Sequence, residues 1–288
     1  MRDATPEDIE AIGALRESVG WNVHRWALLD AMRAPHARFF LALDAEGRLV
    51  GAGSGIGYGA LGVVGNMVVA AEHRRRGLGA AILERVMDFL EDERSCTTLE
   101  LTATQAGRPL YARYGFGVVG ATARAEIPAS AASALGKADA IRGPTRSPVE
   151  ATTEDLEELT AYDATRFGGD RGPNLAAAID DRGRAVLVQR RGGGAIRGYL
   201  VARDGTDRIG PWLADGEADA AALLREALAR RATPQAATVV LPAANERGVA
   251  WLAGLGASVD RWEGFMRRGP PVARRVETIY ATAVGALG

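Results

Sequence analysis

The sequence predicts an α/β protein of two similar domains in tandem, each a mixed sheet with helices on both faces. Three observations carry this. The chain repeats itself, each half runs through strands and helices in one order, and a proline-containing stretch separates the halves.

The repeat fixes the architecture, so it comes first. The start, Arg2-Asp-Ala-Thr-Pro-Glu-Asp-Ile, is echoed by Val149-Glu-Ala-Thr-Thr-Glu-Asp-Leu. Each places a short strand before a Thr suited to cap a helix, with acidic residues in the first turn. Thr97–Gly107 aligns without gaps with Thr238–Gly248, 141 residues later. Each is a β-rich run, a small polar turn and a helix start. The same register sets Leu83 on Leu224, in amphipathic helices expected at Ala80–Glu93 and Ala220–Arg231. It also sets Tyr111 on Leu252 and Gly115 on Gly256.

Within each half the order is strand–helix, a central antiparallel hairpin, strand–helix, then strand–helix–strand. In the first half the hairpin runs Phe39–Leu43, turns at Ala45-Glu46-Gly47, and returns along Leu49–Gly57. Pro128–Pro148 reads as a linker, with a short helix expected inside Ala129–Ala140. The boundary falls near residue 145, giving domains at 1–140 and 146–288.

Hydrophobic residues are 47% and charged residues 25%, a balance that suits a soluble globular chain with a full core. The formal net charge is −1, so no global field recruits nucleic acid or an anionic membrane. Cys96 is the single cysteine and has no disulfide partner in the chain, which fits a reducing cytoplasm. No apolar run reaches the ~18 residues that a membrane span needs, and no basic-then-apolar leader opens the chain. A soluble, cytoplasmic protein without metal, nucleic-acid or membrane partners is expected.

The chemistry is expected after the apolar strand Val63–Val69. There Glu72-His-Arg-Arg-Arg-Gly-Leu-Gly79 leads into the helix beginning at Ala80. Glycines let a backbone approach a ligand closely, and a helix N-terminus offers unpaired N–H groups with partial positive charge. With Arg74, Arg75 and Arg76 alongside, the loop suits a pyrophosphate. A basic turn that merely reverses the chain fits the same residues.

At this junction the sequence resembles the GNAT superfamily of N-acetyltransferases, whose Arg/Gln-x-x-Gly-x-Gly/Ala motif is matched by Arg74, Gly77 and Gly79. A later Leu-Tyr-x-x-x-Gly-Phe is matched by Leu110, Tyr111, Gly115 and Phe116. The resemblance covers roughly Arg2 to Ile127. It implies acetyl-CoA as co-substrate, its pantetheine arm along Met67, Val68 and Val69. Its pyrophosphate would lie on Arg74, Arg75, Arg76, Gly77, Leu78, Gly79 and Ala80. It also implies Tyr111 as the general acid that protonates the departing thiolate, with Tyr114 as fallback. No general base is identified: His73 lies in the loop, and His24 and His36 have no partner motif.

In the same register the second half sets Asp215-Gly-Glu-Ala-Asp-Ala220 on Arg74–Gly79, and Leu252 on Tyr111. Carboxylates would repel a pyrophosphate, and leucine has no proton to give. The second domain is therefore expected to have lost the cofactor loop. It also resembles the C-terminal domain of two-domain GNAT proteins, through Asp163…Arg166-Phe-Gly…Arg171, Gly198–Arg203, Ile209-Gly-Pro-Trp212 and Asn245. Asn245 stands where many single-domain members carry Asn, and the first copy has Thr104 there. Trp21, Trp26, Asp163, Arg171 and Arg203 are candidate acceptor-site residues. Core packing for the tryptophans and a structural ion-pair set for the others are the competing readings.

The function expected is acetyl transfer from acetyl-CoA to a primary amine, by direct attack, with a small molecule favoured as acceptor. The alternative is a non-catalytic protein that senses acyl-CoA or scaffolds a partner.

Overall fold

The computed structural model describes residues 1–21, 23–135, 147–192, 194–231, 233 and 235–283. The chain forms two compact units. One comprises Met1–Val119 with Gly264–Val272, the other Gly120–Glu263 with Ala273–Val284.

The first unit begins with β1 (Arg2–Asp3), α1 (Ile9–Glu17) and α2 (Arg25–Arg33). β2 (Ala37–Leu43) and β3 (Leu49–Tyr58) form the hairpin legible in the sequence, with Gly47 at φ 79 in its turn. β4 (Leu61–Val69), α3 (Leu78–Asp88), β5 (Thr98–Thr102) and α4 (Arg108–Arg113) follow. The strands lie in the order β1-β2-β3-β4-β5. Neighbours are antiparallel except β4 and β5, which are parallel from Leu61 to Val63 against Thr98 to Glu100.

Helix α3 buries Ile82, Leu83, Val86 and Met87, a stripe at helical spacing. Each such side chain contributes roughly 2 kcal/mol by leaving water. The helix lies close to the sheet because Gly53 of β3 has no side chain: a Cβ there would run into Ile82 and the Met67 sulfur.

In the second unit, β7 (Val149–Glu150), α5 (Leu156–Phe167) and α6 (Gly172–Asp180) precede β8 (Arg184–Arg190) and β9 (Ile196–Arg203). Next come β10 (Ile209–Ala214), α7 (Glu217–Ala229), β11 (Ala237–Pro242) and α8 (Glu246–Gly254). A short β13 (Ile279–Ala281) pairs with β10, giving the order β13-β10-β9-β8-β7. Leu223 and Leu224 of α7 are fully buried, as are their counterparts Ile82 and Leu83 in α3.

The last strands of the repeats are exchanged. β6 (Gly117–Ile127) and β12 (Ser258–Arg268) lie 141 residues apart, the register of the sequence repeat. Yet β5 pairs with β12, from Leu99↔Arg268 to Thr102↔Phe265. β11 pairs with β6, from Ala237↔Ile127 to Pro242↔Thr122. The domains drawn at 1–140 and 146–288 divide the chain by repeat, whereas the compact units divide it by packing. Residues 131–135 form a single helical stretch after a turn at 129–130; residues 136–140 of the expected linker helix and the boundary near 145 lie outside the described residues. Among the described residues no helix is long and apolar enough to cross a membrane.

Candidate functional site

The site is built where β4 ends and α3 begins. Along β3 the pairing advances from Ala52 to Ser54, while along β4 it advances from Gly65 to Val68, one residue more. The surplus makes a β-bulge, which leaves backbone groups out of the ladder and re-aims the strand. Asn66 takes the strained position with φ 53, a left-handed conformation that Asn tolerates better than most residues. Its Nδ2 donates to Oγ of the fully buried Ser54 at 2.9 Å, which pins the bulge. The sequence reading did not single out Asn66 or Ser54. The signal available was a Gly65-Asn66 pair inside an otherwise apolar strand.

Beyond the bulge, Met67, Val68 and Val69 run past the end of the β4–β5 pairing. Val68 is buried, and Met67 and Val69 are half-buried against the core. A short 3₁₀ turn at Ala71–His73 then carries the chain to Arg74, whose Nε donates back to the Val69 carbonyl at 3.0 Å. Arg75 (φ 59) and Gly77 (φ 85) are both left-handed. Left-handed residues in so short a loop favour the backbone nests that bind anions. Arg74, Arg75, Arg76 and Gly77 are exposed.

Helix α3 starts at Leu78, and its N-cap Gly77 has no side chain with which to cap it. The amides of Leu78, Gly79 and Ala80 therefore open this helix with its positive dipole end. At Gly79 an added Cβ would make only ordinary contacts with Leu110 and Val69, so the fold itself has room for a side chain there. Backbone amides, a helix N-terminus and three guanidinium groups form a donor set suited to a diphosphate.

Tyr111 lies in α4 and is 7% exposed, edge-on to Phe116 with ring centroids 6.1 Å apart. Burial pushes its phenol up to about 12, so it carries its proton throughout the physiological range. The Tyr114 hydroxyl donates to Glu84 at 2.6 Å and is thereby engaged.

The remaining candidates lie apart from this loop in sequence and in setting. Trp21 is half-buried beneath the Arg16 guanidinium, 5.6 Å from its ring, and Trp26 is half-buried in α2 beside the His24 ring. Asp163 and Arg171 are enclosed in the second unit at 0% and 3% exposure. Arg171 donates to both Asp163 oxygens, at 2.6 and 3.0 Å, and Tyr199 donates to the same carboxylate. This is the geometry of the ion-pair reading, since groups so buried are turned into each other. Arg203 donates to Asp181 at 2.8 Å.

The ungapped register does not hold through the second copy's loop. β10 also carries a bulge, where its pairing advances from Ile209 to Trp212 while β9 advances only from Leu200 to Ala202. That sets Gly210 opposite Asn66, three residues out of step with the helices. The offset is absorbed before α7, where only Asp215 and Gly216 separate strand from helix; in the first copy residues 70–77 do so. The basic loop is thus shortened away rather than replaced by acids. Asp215 accepts from Arg166 at 2.6 Å and pairs with Arg197 at 3.1 Å.

Comparisons with known proteins bear on the family and the fold. Two family models match the chain, both described as an acetyltransferase (GNAT) domain, over residues 35–118 and 159–281. The N-acetyltransferase YitH of Bacillus subtilis, described as uncharacterized, is 27% identical over 199 residues, 68% of this chain and 67% of that protein. A candidate acetyltransferase structure from Pyrococcus horikoshii is 22% identical and covers 100% of this chain and 95% of its own, with a TM-score of 0.79. A tandem GNAT protein of the clavulanic acid biosynthesis pathway shares the fold at a TM-score of 0.63 and 17% identity, over 93% of this chain and 98% of its own. The family uses acyl-CoA, and the first unit holds the Arg74–Gly79 loop and the Tyr111 run at which this sequence resembles it. With two such domains in one chain, this protein belongs to the GNAT family as a tandem N-acetyltransferase.

Proposed function

We propose that the first unit binds acetyl-CoA and transfers its acetyl group to the primary amine of a small molecule. The observation that carries this reading is the loop Arg74–Ala80. Two left-handed residues and three exposed arginines stand there at an uncapped helix N-terminus, directly after a bulged strand end.

Acetyl-CoA would supply the activated thioester. Arg74, Arg75 and Arg76 with the amides of Gly77, Leu78, Gly79 and Ala80 would hold its pyrophosphate. The strand end Met67–Val69, past the β5 ladder, would hold its pantetheine arm by backbone hydrogen bonds. The bulge at Asn66 would present backbone N–H to the carbonyl oxygen, where negative charge grows as the amine adds. Tyr111 would give its proton to the sulfur as CoA leaves. Burial that raises the phenol also raises a thiolate in the same apolar setting, so the two groups stay matched. Trp21 and Trp26 would border the entry of the amine, whose own proton passes to water.

Thiol release should be followed with acetyl-CoA and a panel of small primary amines, in the wild type and in Arg76→Glu combined with Gly77→Glu. Amine-dependent release in the wild type that is lost in the variant supports the reading. Release that survives in the variant, or that no amine elicits, rejects it.

A further inference from the structure

In the first unit β4 and β5 are parallel neighbours before the bulge, and their ladder stops at Val63 and Glu100. β10 and β11 repeat this in the second unit. Before their bulge Arg208 bridges Thr238 in parallel, and the Thr238 amide donates to the Asp207 carbonyl at 2.9 Å. Past the bulge the strands part, and β13 enters between them.

The insertion is closely fitted. On one side β13 pairs with β10, Trp212 opposite Ala281 and Leu213 opposite Ile279. On the other, the Thr282 amide donates to the Val240 carbonyl of β11 at 2.7 Å. Asn245, at the N-cap of α8 and 2% exposed, donates its Nδ2 to the Ile279 carbonyl at 3.0 Å while its Oδ1 accepts from Gly248 at 2.9 Å. Thr104, its counterpart in the first unit, accepts from the Gly107 amide through Oγ1 at 3.2 Å and has no side-chain amide to donate. Gly210, at the bulge with φ 143, leaves room for the strand: a Cβ there would collide with the Thr282 carbonyl oxygen. Tyr280 fills the space beside Trp212 and Trp251, its ring centroid 5.1 and 5.7 Å from theirs.

We propose that Ile279–Thr282 is a built-in occupant of the second unit's cofactor groove. It holds the backbone-pairing place that the pantetheine arm takes along Met67–Val69 in the first unit. The proposal rests on the acetyl-CoA reading of that first unit. A pantetheine arm is a chain of amides, and a peptide strand offers the same alternating donors and acceptors. Being tethered, the strand outcompetes a free ligand through its effective concentration. Asn245, Gly210 and the shortened loop are then parts of one adaptation: the groove is kept as a fold element and closed to CoA. The chain takes up one acyl-CoA, in the first unit.

The test is calorimetric titration of acetyl-CoA into the full-length protein, with residue-resolved amide hydrogen exchange in its absence and at saturation. The expected result is one equivalent bound. Amides of Met67–Val69 should slow at least tenfold on saturation, and the Thr282 amide should be slow already in the free protein and change less than twofold. Asn245→Ala should speed Thr282 exchange about tenfold while the stoichiometry stays at one. A second equivalent bound, or Thr282 exchange that accelerates tenfold with acetyl-CoA, overturns the proposal. So does open-chain exchange at Thr282 in the free protein. Absence of any binding rejects the reading of the first unit instead, and the free protein's Thr282 exchange still decides where the strand lies.

Discussion

Glu100 of β5 and Arg267 of β12 are 167 residues apart in the chain and form an ion pair at 2.9 Å, with side chains only 4% and 17% exposed. The pair fastens the last strand of the second repeat to a strand of the first. Removing one partner of such a pair leaves the other charge without compensation, at a cost of about 3–5 kcal/mol. Glu100→Ala should lower the urea midpoint accordingly. Arg267→Ala in the same chain should restore part of the loss, because the stranded guanidinium goes with it. Additive effects of the two substitutions would show that the pair contributes no coupling.

Tyr111→Phe removes the proton proposed for the leaving thiolate and little else, since the ring stays packed on Phe116. The turnover number should fall about 10²-fold, the lower end for a lost general acid, with KM for acetyl-CoA unchanged. Because burial holds the phenol at about 12, Tyr111 stays protonated through pH 10. Any alkaline fall in rate below that pH should persist in the variant. An unchanged turnover number would remove Tyr111 from the chemistry.

Gly77 has φ 85 and nothing near the place of a Cβ, so an alanine there meets a backbone cost without a clash. That cost is about 1–2 kcal/mol. Gly77→Ala should lower stability by about that amount, or flatten the loop and raise KM for acetyl-CoA severalfold. Gly59→Ala, also at positive φ in open space but in the β3–β4 turn, should show only the stability loss.

Hydrogen bonding from the Arg2 guanidinium holds the Asp8 carboxyl at about 2, well below its usual value near 4. The sign follows from a depressed folded-state value: the stabilisation is present above pH 4 and is lost as pH falls toward 2. Arg2 is 45% exposed, so solvent screening reduces the effect to about 1 kcal/mol. Asp8→Asn should be destabilised by that amount at pH 7, and the difference from wild type should narrow below pH 4 and close only below about pH 2.

Cys96 is 4% exposed, and burial pushes its thiol up to about 11. At pH 8 only about one thiol in a thousand is thiolate, the nucleophilic form. Iodoacetamide should therefore label the folded protein far more slowly than the urea-unfolded chain. Equal rates would place Cys96 at the surface.

What the sequence determined by itself was local. Two apolar runs around a glycine turn marked the β2–β3 hairpin, helical spacing specified α3 and α7, and Arg74, Gly77 and Gly79 marked the loop. Short-range pattern and turn chemistry encode these wherever the rest of the chain lies. The tertiary structure decided the pairings. β6 and β12 end equivalent repeats, and backbone hydrogen-bonding groups are the same in every strand, so nothing local says which of β5 and β11 each will join. The bulges at Asn66 and Gly210 likewise appear only when two strands are counted against each other, which is why an ungapped register misplaced the second loop. Ile279–Ala281 is a strand because the parted edges of β10 and β11 receive it, and Asp163 pairs with Arg171 because both are enclosed. Each of these depends on a partner distant in sequence, and only the folded chain supplies it.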